Sequence, residues 1–294
     1  VVLVLVGAFQ NCGDVSLQRI PLALSSASLT QGSFCSKAND ISSNGLKVLF
    51  VLDMSGSNII NLDPTQATDL AGDRFQKIKD FISGCGSLNT NNRFAVTGFS
   101  NYRLENLATS GGVSLEPTFV NATQALAQVS VFQGIQATDI SNYNVTPPRY
   151  VMDGTNYATG LKHAYNIIHA DLLADPQQAR AYSYLVFFVT DGKPDDNLGP
   201  STPSCVKNTL YQSNIDDMMT EGHALAGGIH FMTLYYNKNV QLSSDPTAKC
   251  VLDTMANWGD TQNTVAITDP NTINFCALAN FSIIRLFSSI FSYS

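Results

Sequence analysis

The sequence predicts an α/β fold with a doubly wound, mainly parallel central sheet and helices on both faces. The first observation is a set of short, unbroken apolar runs bounded by turn residues, which is typical of strands buried on both faces. The second is that stretches with the spacing of amphipathic helices lie between these runs, as right-handed crossovers between parallel strands require. The third is size, because 294 residues with 44% hydrophobic content can bury one large core.

Strands and helices alternate along most of the chain. Strands are predicted at 47–53, 93–99, 182–190, 229–236 and 264–268. Helices are predicted at 73–82, 155–171, 208–225, 247–257 and 274–291. The helix at 73–82 should bury one face, on which apolar residues recur at helical spacing. That face consists of Phe75, Ile78, Lys79 and Ile82.

An irregular insert at 101–150 interrupts this alternation. It contains Gly111-Gly112, Pro117 and Pro147-Pro148, and it is too long to be a simple loop. We therefore expect it to hold a short strand and a helix of its own. The best helix candidate in the insert is 122–129.

The composition is unusually poor in charge. Charged residues make up 13% of the chain, about half the usual share, so its polar surface must consist mainly of Ser, Thr, Asn and Gln. This balance is typical of exported and surface proteins. The net charge is −7 and no Lys/Arg cluster occurs, which argues against nucleic-acid binding.

The first 45 residues are predicted to be an export signal and a tether. The apolar run at 1–9 is shorter than the roughly 20 residues that span a membrane, and it resembles the core of a secretory signal. Cys12-Gly13 follows, so residues 1–12 resemble a bacterial lipoprotein signal with Cys12 as the lipidated residue. The alternatives are a cleaved signal with an ordinary Cys12 thiol, or a buried N-terminal strand. The Ser-rich stretch at 13–45 then tethers a folded domain at 46–294.

Export would place the protein at the bacterial outer membrane, at the cell surface or in the periplasm. In this prediction the chain contacts the membrane only through its lipid anchor.

Three polar loops are expected at one edge of the sheet. They are Asp53-Met54-Ser55-Gly56-Ser57, Gly154-Thr155-Asn156 and Thr190-Asp191-Gly192. Ligands in open α/β sheets collect outside the carboxyl ends of the strands, where the first and third loops begin. Carboxylate and hydroxyl oxygens there suit hard cations such as Mg²⁺, Mn²⁺ or Ca²⁺. The alternative is that these residues only cap helices and form turns.

Taken together, these loops resemble the metal-ion-dependent adhesion site of the von Willebrand factor A domain, also called the integrin I-type domain. The resemblance covers about residues 46–290. It implies five metal ligands, which are Asp53, Ser55, Ser57, Thr155 and Asp191. It also implies Mg²⁺ as the cofactor, with Mn²⁺ or Ca²⁺ as alternatives. The position left open on the metal would take an Asp or Glu side chain of a protein partner, which makes the chain a cation-dependent adhesion domain.

Two other functions compete with adhesion. The chain could be a structural subunit of an envelope or fibre assembly that makes its contacts through the insert and the apolar C-terminal stretch. It could also be an enzyme, but Ser55 stands where an Asp-x-Asp phosphoryl-transfer pair needs its second Asp. No Gly-x-Ser-x-Gly elbow, P-loop or dinucleotide glycine motif occurs either, so we predict no catalysis.

The six cysteines have no zinc-site spacing and are expected to pair outside the cytoplasm. The favoured pairs are Cys205 with Cys250 and Cys35 with Cys276, which leaves Cys85 free, although other connectivities remain open. The four scattered histidines are expected at the surface or in helix packing. Tyr157 near the second loop could either face a partner or pack inside.

Overall fold

Within the residues that the structure describes, five parallel strands form one sheet. The protein is seen here as a computed structural model that describes residues 45–59, 67–142, 152–179, 181–194, 209–222, 228–259, 264–276 and 278. The strands are Leu46–Asp53 (β1), Arg93–Phe99 (β2), Ser183–Thr190 (β3), Ile229–Tyr236 (β4) and Val265–Ile267 (β5). Their order in the sheet is β2-β1-β3-β4-β5.

Seven α-helices lie in the described part of the chain. They are Asp73–Ser83 (α1), Tyr102–Thr109 (α2), Ala122–Asn142 (α3), Tyr157–Ala174 (α4), Pro176–Ala179 (α5), Thr209–Gly222 (α6) and Pro246–Trp258 (α7). None of these described helices is both long and apolar enough to span a membrane.

The central strands are buried on both faces because each face carries its own core. Along β1, Val48 and Phe50 pack into one core, whereas Leu49 and Val51 pack into the other. The first core also contains apolar side chains of α1 and α3, and the second contains those of α4, α6 and α7. This arrangement confirms the predicted doubly wound α/β fold.

The insert differs from its prediction. The expected helix at 122–129 continues to Asn142, and a further helix, α2, precedes it. The only strand-like feature described there is an antiparallel bridge between Val120 and Phe94 of β2. Residues 143–151, most of the helix predicted at 274–291, the whole signal with Cys12, and all of the tether except Gly45 lie outside the described residues.

The strand order places the three polar loops at a switch point of the sheet. β1 pairs with β2 on one side and with β3 on the other, so the chain winds away from β1 in both directions. A crevice forms at the carboxyl ends of the strands where the order reverses, and ligands bind there in folds of this class. Asp53 ends β1 and Asp191 follows β3, which brings both carboxylates to that crevice.

Gly160 lets α4 approach β2 closely, and an added methyl group should destabilise the protein. A Cβ atom at Gly160 would lie 2.7 Å from Cδ1 of Phe99. We expect Gly160→Ala to lower the free energy of unfolding by about 1–3 kcal/mol in urea denaturation. Gly134 is the matched control, because it also lies within a helix but has nothing within 4 Å of such a Cβ. Gly134→Ala should raise stability by about 0.5–1 kcal/mol, and equal effects at the two sites would contradict the packing account.

Candidate metal centre

The first loop turns sharply back on itself directly after β1. The carboxylate of Asp53 accepts a hydrogen bond from the backbone N–H of Ser55, at 2.8 Å, and a 3₁₀ turn over Gly56–Asn58 follows. The side-chain amide of Asn58 donates to the Asp53 carbonyl at 3.3 Å, and its oxygen accepts from the Tyr236 hydroxyl of β4. These bonds hold the backbone of the loop and the Asp53 carboxylate in place.

The third loop brings Asp191 to the same two hydroxyls. Ser57 Oγ donates to Asp191 Oδ1 at 2.9 Å, and Ser55 Oγ lies 3.4 Å from the same oxygen. The two serine hydroxyls are 2.8 Å apart. The structure therefore gathers two predicted serine ligands and Asp191, which lies more than 130 residues further along the chain, into one hydrogen-bonded group.

The second loop is held against the first through its backbone. Ser55 and Asp153 form a parallel bridge, and the N–H of Gly56 donates to the Asp153 carbonyl at 2.6 Å. Thr155 lies two residues further on and is buried, in the loop before α4. Its hydroxyl makes no hydrogen bond to the other predicted ligands, all of which are described residues. Thr155 is thus at the site but is less closely integrated than the other four.

Two carboxylates share this buried place, and the pKa of each is raised above its ordinary value. Asp53 is fully buried and Asp191 is 1% exposed. Burial raises the pKa of the Asp53 carboxyl. Burial together with the negative charge of Asp53 raises the pKa of Asp191 to about 7. A positive charge between them would remove this mutual repulsion.

A chain of hydroxyls supports Asp53 from the side of α4. Thr190 Oγ1 donates to Asp53 Oδ2 at 2.5 Å, and Tyr157 OH lies 3.1 Å from Thr190 Oγ1. Tyr157 also donates to the carbonyl of Gly192 and is fully buried. Of the two roles left open for Tyr157, packing inside the protein is therefore the one observed. On the other side, the Asn237 amide donates to the Asp191 carbonyl at 2.7 Å.

A buried ion pair lies beneath the site. The guanidinium of Arg74 in α1 bonds the carboxylate of Asp69 at 2.5 Å, and both side chains are fully buried. Arg74 Nη2 also donates to the Asp53 carbonyl at 3.3 Å. The positive charge of Arg74 acts on Asp53 and Asp191 as well, because it lowers the pKa of each against the larger effect of burial.

The pattern of motifs did not identify every residue that holds the site. Thr68 donates its hydroxyl to Asp191 Oδ2, and Thr190 and Arg74 contact Asp53. Thr190 precedes Asp191 in the third loop and could have been found there. Nothing in the sequence marks Thr68 or Arg74, because Asp191 and Asp53, which they contact at the site, lie far away in the chain. Lys193, two residues after Asp191, is exposed.

The donor set suits a hard divalent cation. Three hydroxyls and two carboxylates offer only oxygen, which Mg²⁺, Mn²⁺ and Ca²⁺ prefer. Among the described residues no group of three or more His, Cys, Asp and Glu side chains could hold a metal. A soft-metal centre therefore has no counterpart in the described part of the chain, and the oxygen cluster is the candidate metal centre.

The structure describes only some of the cysteines and histidines for which predictions were made. Cys250 and Cys276 are each disulfide-bonded. Their predicted partners, Cys205 and Cys35, lie outside the described residues, so the pairings stay predictions. His163 and His169 pack between helices and bond glutamates, His163 with Glu105 and Glu116 and His169 with Glu221.

The chain resembles known proteins in structure rather than in sequence. No protein-family model and no curated protein sequence matches it. Structures that resemble it include the pilus adhesin SpaC from Lactobacillus rhamnosus GG, at 15% identity and a TM-score of 0.46 over 83% of this chain. The human COPII-coat protein Sec24c follows, at 11% identity and a TM-score of 0.45 over 81% of this chain. The manganese-loaded TRAP protein of Plasmodium vivax has 12% identity and a TM-score of 0.31 over 66% of this chain.

The chain spans 30%, 32% and 58% of these three structures, respectively. Likenesses this distant carry no functional conclusion.

Proposed function

We propose that the chain is a protein-binding domain of the von Willebrand factor A type, with a divalent cation held at Asp53 and Asp191. The observation that carries the proposal is that two buried carboxylates lie within one cluster of hydroxyls at the switch point of the sheet. Ser55 and Ser57 join the carboxylates in this cluster, and Thr155 lies in the adjoining loop. A bound cation would supply positive charge and an open coordination position for an acidic side chain of the partner.

The residues of the chain then have separate tasks. Asp53 and Asp191 provide the negative charge that attracts the cation, while Ser55 and Ser57 provide neutral oxygens. The hydroxyl of Thr190 and the amide of Asn237 keep the two carboxylate-bearing loops in place. The proposal assigns no catalytic step to any of these groups.

We further infer that the protein works in an oxidising compartment, as an exported or surface protein does. The disulfide-bonded state of Cys250 and Cys276 supports this, because disulfides persist mainly outside the cytoplasm. A lipid anchor at Cys12 remains part of the proposal only as a prediction from the sequence.

The proposal is tested by titrating the purified protein with Mn²⁺ in a calorimeter. We expect one binding site, and a rise in melting temperature that EDTA reverses, because a ligand that binds only the folded state stabilises it. Acetate then serves as the probe for an acidic ligand. Its proton resonance should broaden when Mn²⁺-loaded protein is added, more than with free Mn²⁺ at the same concentration.

The absence of Mn²⁺ and Mg²⁺ binding would refute the metal centre. Cation binding without acetate broadening would refute the open position for an acidic ligand. The alternative role, a structural subunit of an envelope assembly, would be favoured if partner binding persists unchanged in EDTA.

A further inference from the structure

Thr68 adds a hydroxyl to the site from a segment that carries none of the recognised motifs. The backbone N–H of Thr68 donates to the Ser57 carbonyl at 3.1 Å, and that of Asp69 donates to the Asn58 carbonyl at 3.2 Å. The segment around Thr68 therefore runs beside the first loop and is fixed to it by two backbone hydrogen bonds. The Thr68 side chain is 4% exposed.

The hydroxyl of Thr68 holds one specific oxygen of Asp191. Thr68 Oγ1 donates to Asp191 Oδ2, and the Ser57 carbonyl lies further away, at 3.2 Å. The other carboxylate oxygen, Oδ1, lies among the hydroxyls of Ser55 and Ser57. Thr68 thus bonds Oδ2 of the Asp191 carboxylate, while Oδ1 faces the predicted metal ligands Ser55 and Ser57.

The segment that carries Thr68 is itself rigidly supported. The Asp69 carboxylate pairs with the buried Arg74, and the Asp69 carbonyl accepts a hydrogen bond from the Gln136 amide of α3 at 2.6 Å. The segment around Thr68 is therefore held by the first loop, α1 and α3. Such a fixed donor can orient a carboxylate that would otherwise rotate.

We propose that Thr68 is a positioning residue of the metal centre, which keeps Asp191 Oδ1 directed into the cluster of Ser55 and Ser57. This inference rests on the proposed cation site. Partners that hydrogen-bond a metal ligand typically change metal affinity by about 10–100-fold when they are removed. A hydroxyl that only joins two loops would contribute to stability without changing cation affinity.

The test compares Thr68→Val, which removes the hydroxyl at nearly constant shape, with Thr68→Ser, which keeps it. Mn²⁺ affinity is measured by calorimetry, and unfolding is measured in urea with EDTA present. We expect Thr68→Val to weaken Mn²⁺ binding by about 10–100-fold and Thr68→Ser to retain the wild-type affinity. If Thr68→Val does not fold, Thr68→Ala makes the same comparison.

Thr233→Val is the matched control. Thr233 lies in β4 and is buried like Thr68. Its hydroxyl lies 3.0 Å from that of Thr264, the residue before β5. This variant should lose stability in EDTA but keep its Mn²⁺ affinity. Wild-type affinity in Thr68→Val would overturn the positioning role alone. Failure of the wild-type protein to bind Mn²⁺ would overturn the proposed function and this inference with it.

Discussion

Asp191→Asn is expected to abolish divalent-cation binding and, in the same protein, to increase stability when no cation is present. The substitution removes one of only two negative charges in the cluster, so the remaining neutral oxygens and Asp53 should not retain Mn²⁺ at millimolar concentration. At the same time it removes a charge that is buried beside another like charge. An ordinary destabilising mutation would lower both the cation affinity and the stability of the cation-free protein.

The sign of the stability effect follows from the direction of the pKa shift. The folded-state pKa of Asp191, about 7, lies above the ordinary value of 3.8, so the folded protein retains a proton that the unfolded chain has released. The free energy of unfolding of the wild-type protein in EDTA should therefore fall as the pH rises from about 4 to about 7, and level off above. The total loss is on the order of 2–4 kcal/mol, and Asp191→Asn should remove most of it.

Urea denaturation between pH 4 and pH 8, with EDTA or with Mn²⁺, measures both the change of stability with pH and the stabilisation by the cation. Asp80→Asn is the control, because Asp80 is exposed and its carboxylate bonds only Gln76 among the described side chains. It should leave cation binding and the pH profile unchanged. Asp191→Asn protein that still binds Mn²⁺ with wild-type affinity would rule out this site, and a wild-type profile that rises between pH 4 and pH 7 would contradict the buried charge pair.

The sheet could be predicted closely because strands buried on both faces leave a strong signal. Residues 93–99 and 229–236 were predicted with the bounds that the structure has, and β1 begins one residue earlier than expected. Every residue of β3 is buried. Residues 184–189 of this strand form an unbroken apolar run, whose length is that of a strand rather than of a helix.

The helix α3 was underestimated because its buried stripe changes character along its length. Its inward positions are Ala125, Val129, Phe132, Gln136 and Asp139, which recur at helical spacing. The last two are polar, so the apolar pattern ends halfway. Gln136 is buried because its amide bonds the Asp69 carbonyl, and Asp139 because its carboxylate accepts the Met152 N–H. Tertiary hydrogen bonds of this kind are invisible in a local pattern.

At the site, too, local patterns predicted some residues, whereas residues buried through tertiary contacts were missed. Short motifs identified the residues that lie at strand ends, and the structure joins Asp53, Ser55, Ser57 and Asp191 by hydrogen bonds. Arg74 was not foreseen, because a charged residue beside an apolar helix face is normally solvated. Its burial depends on Asp69, which comes from an irregular segment with no period of its own.

Arg74→Met is expected to destabilise the protein more than Gly160→Ala or Thr68→Val. It leaves the fully buried Asp69 carboxylate without its cationic partner and removes the donor to the Asp53 carbonyl. Breaking a buried ion pair on one side typically costs about 3–5 kcal/mol, because the remaining charge is uncompensated. The guanidinium also lies 4.2 Å over the Phe75 ring, a contact that the thioether replaces only in part.

Urea denaturation in EDTA measures the loss of stability, and two further variants are compared with Arg74→Met. Arg93→Met is the control, because Arg93 is only half-buried and donates to backbone carbonyls at Thr90 and Asn92. It should cost about 1 kcal/mol or less, within the range of a single ordinary hydrogen bond. The double variant Arg74→Met with Asp69→Leu should recover part of the loss, because no unpaired charge then remains.

The single variant Arg74→Met should bind cations more tightly than the wild type. Arg74 contributes positive charge near Asp53 and Asp191, and in the cation-free protein it offsets part of their repulsion. Without it, more of the negative charge is left for a bound cation to neutralise. The Mn²⁺-induced rise in melting temperature should therefore be larger for Arg74→Met than for the wild type. A variant that loses stability and Mn²⁺ affinity together would instead indicate that Arg74 only holds the first loop in shape.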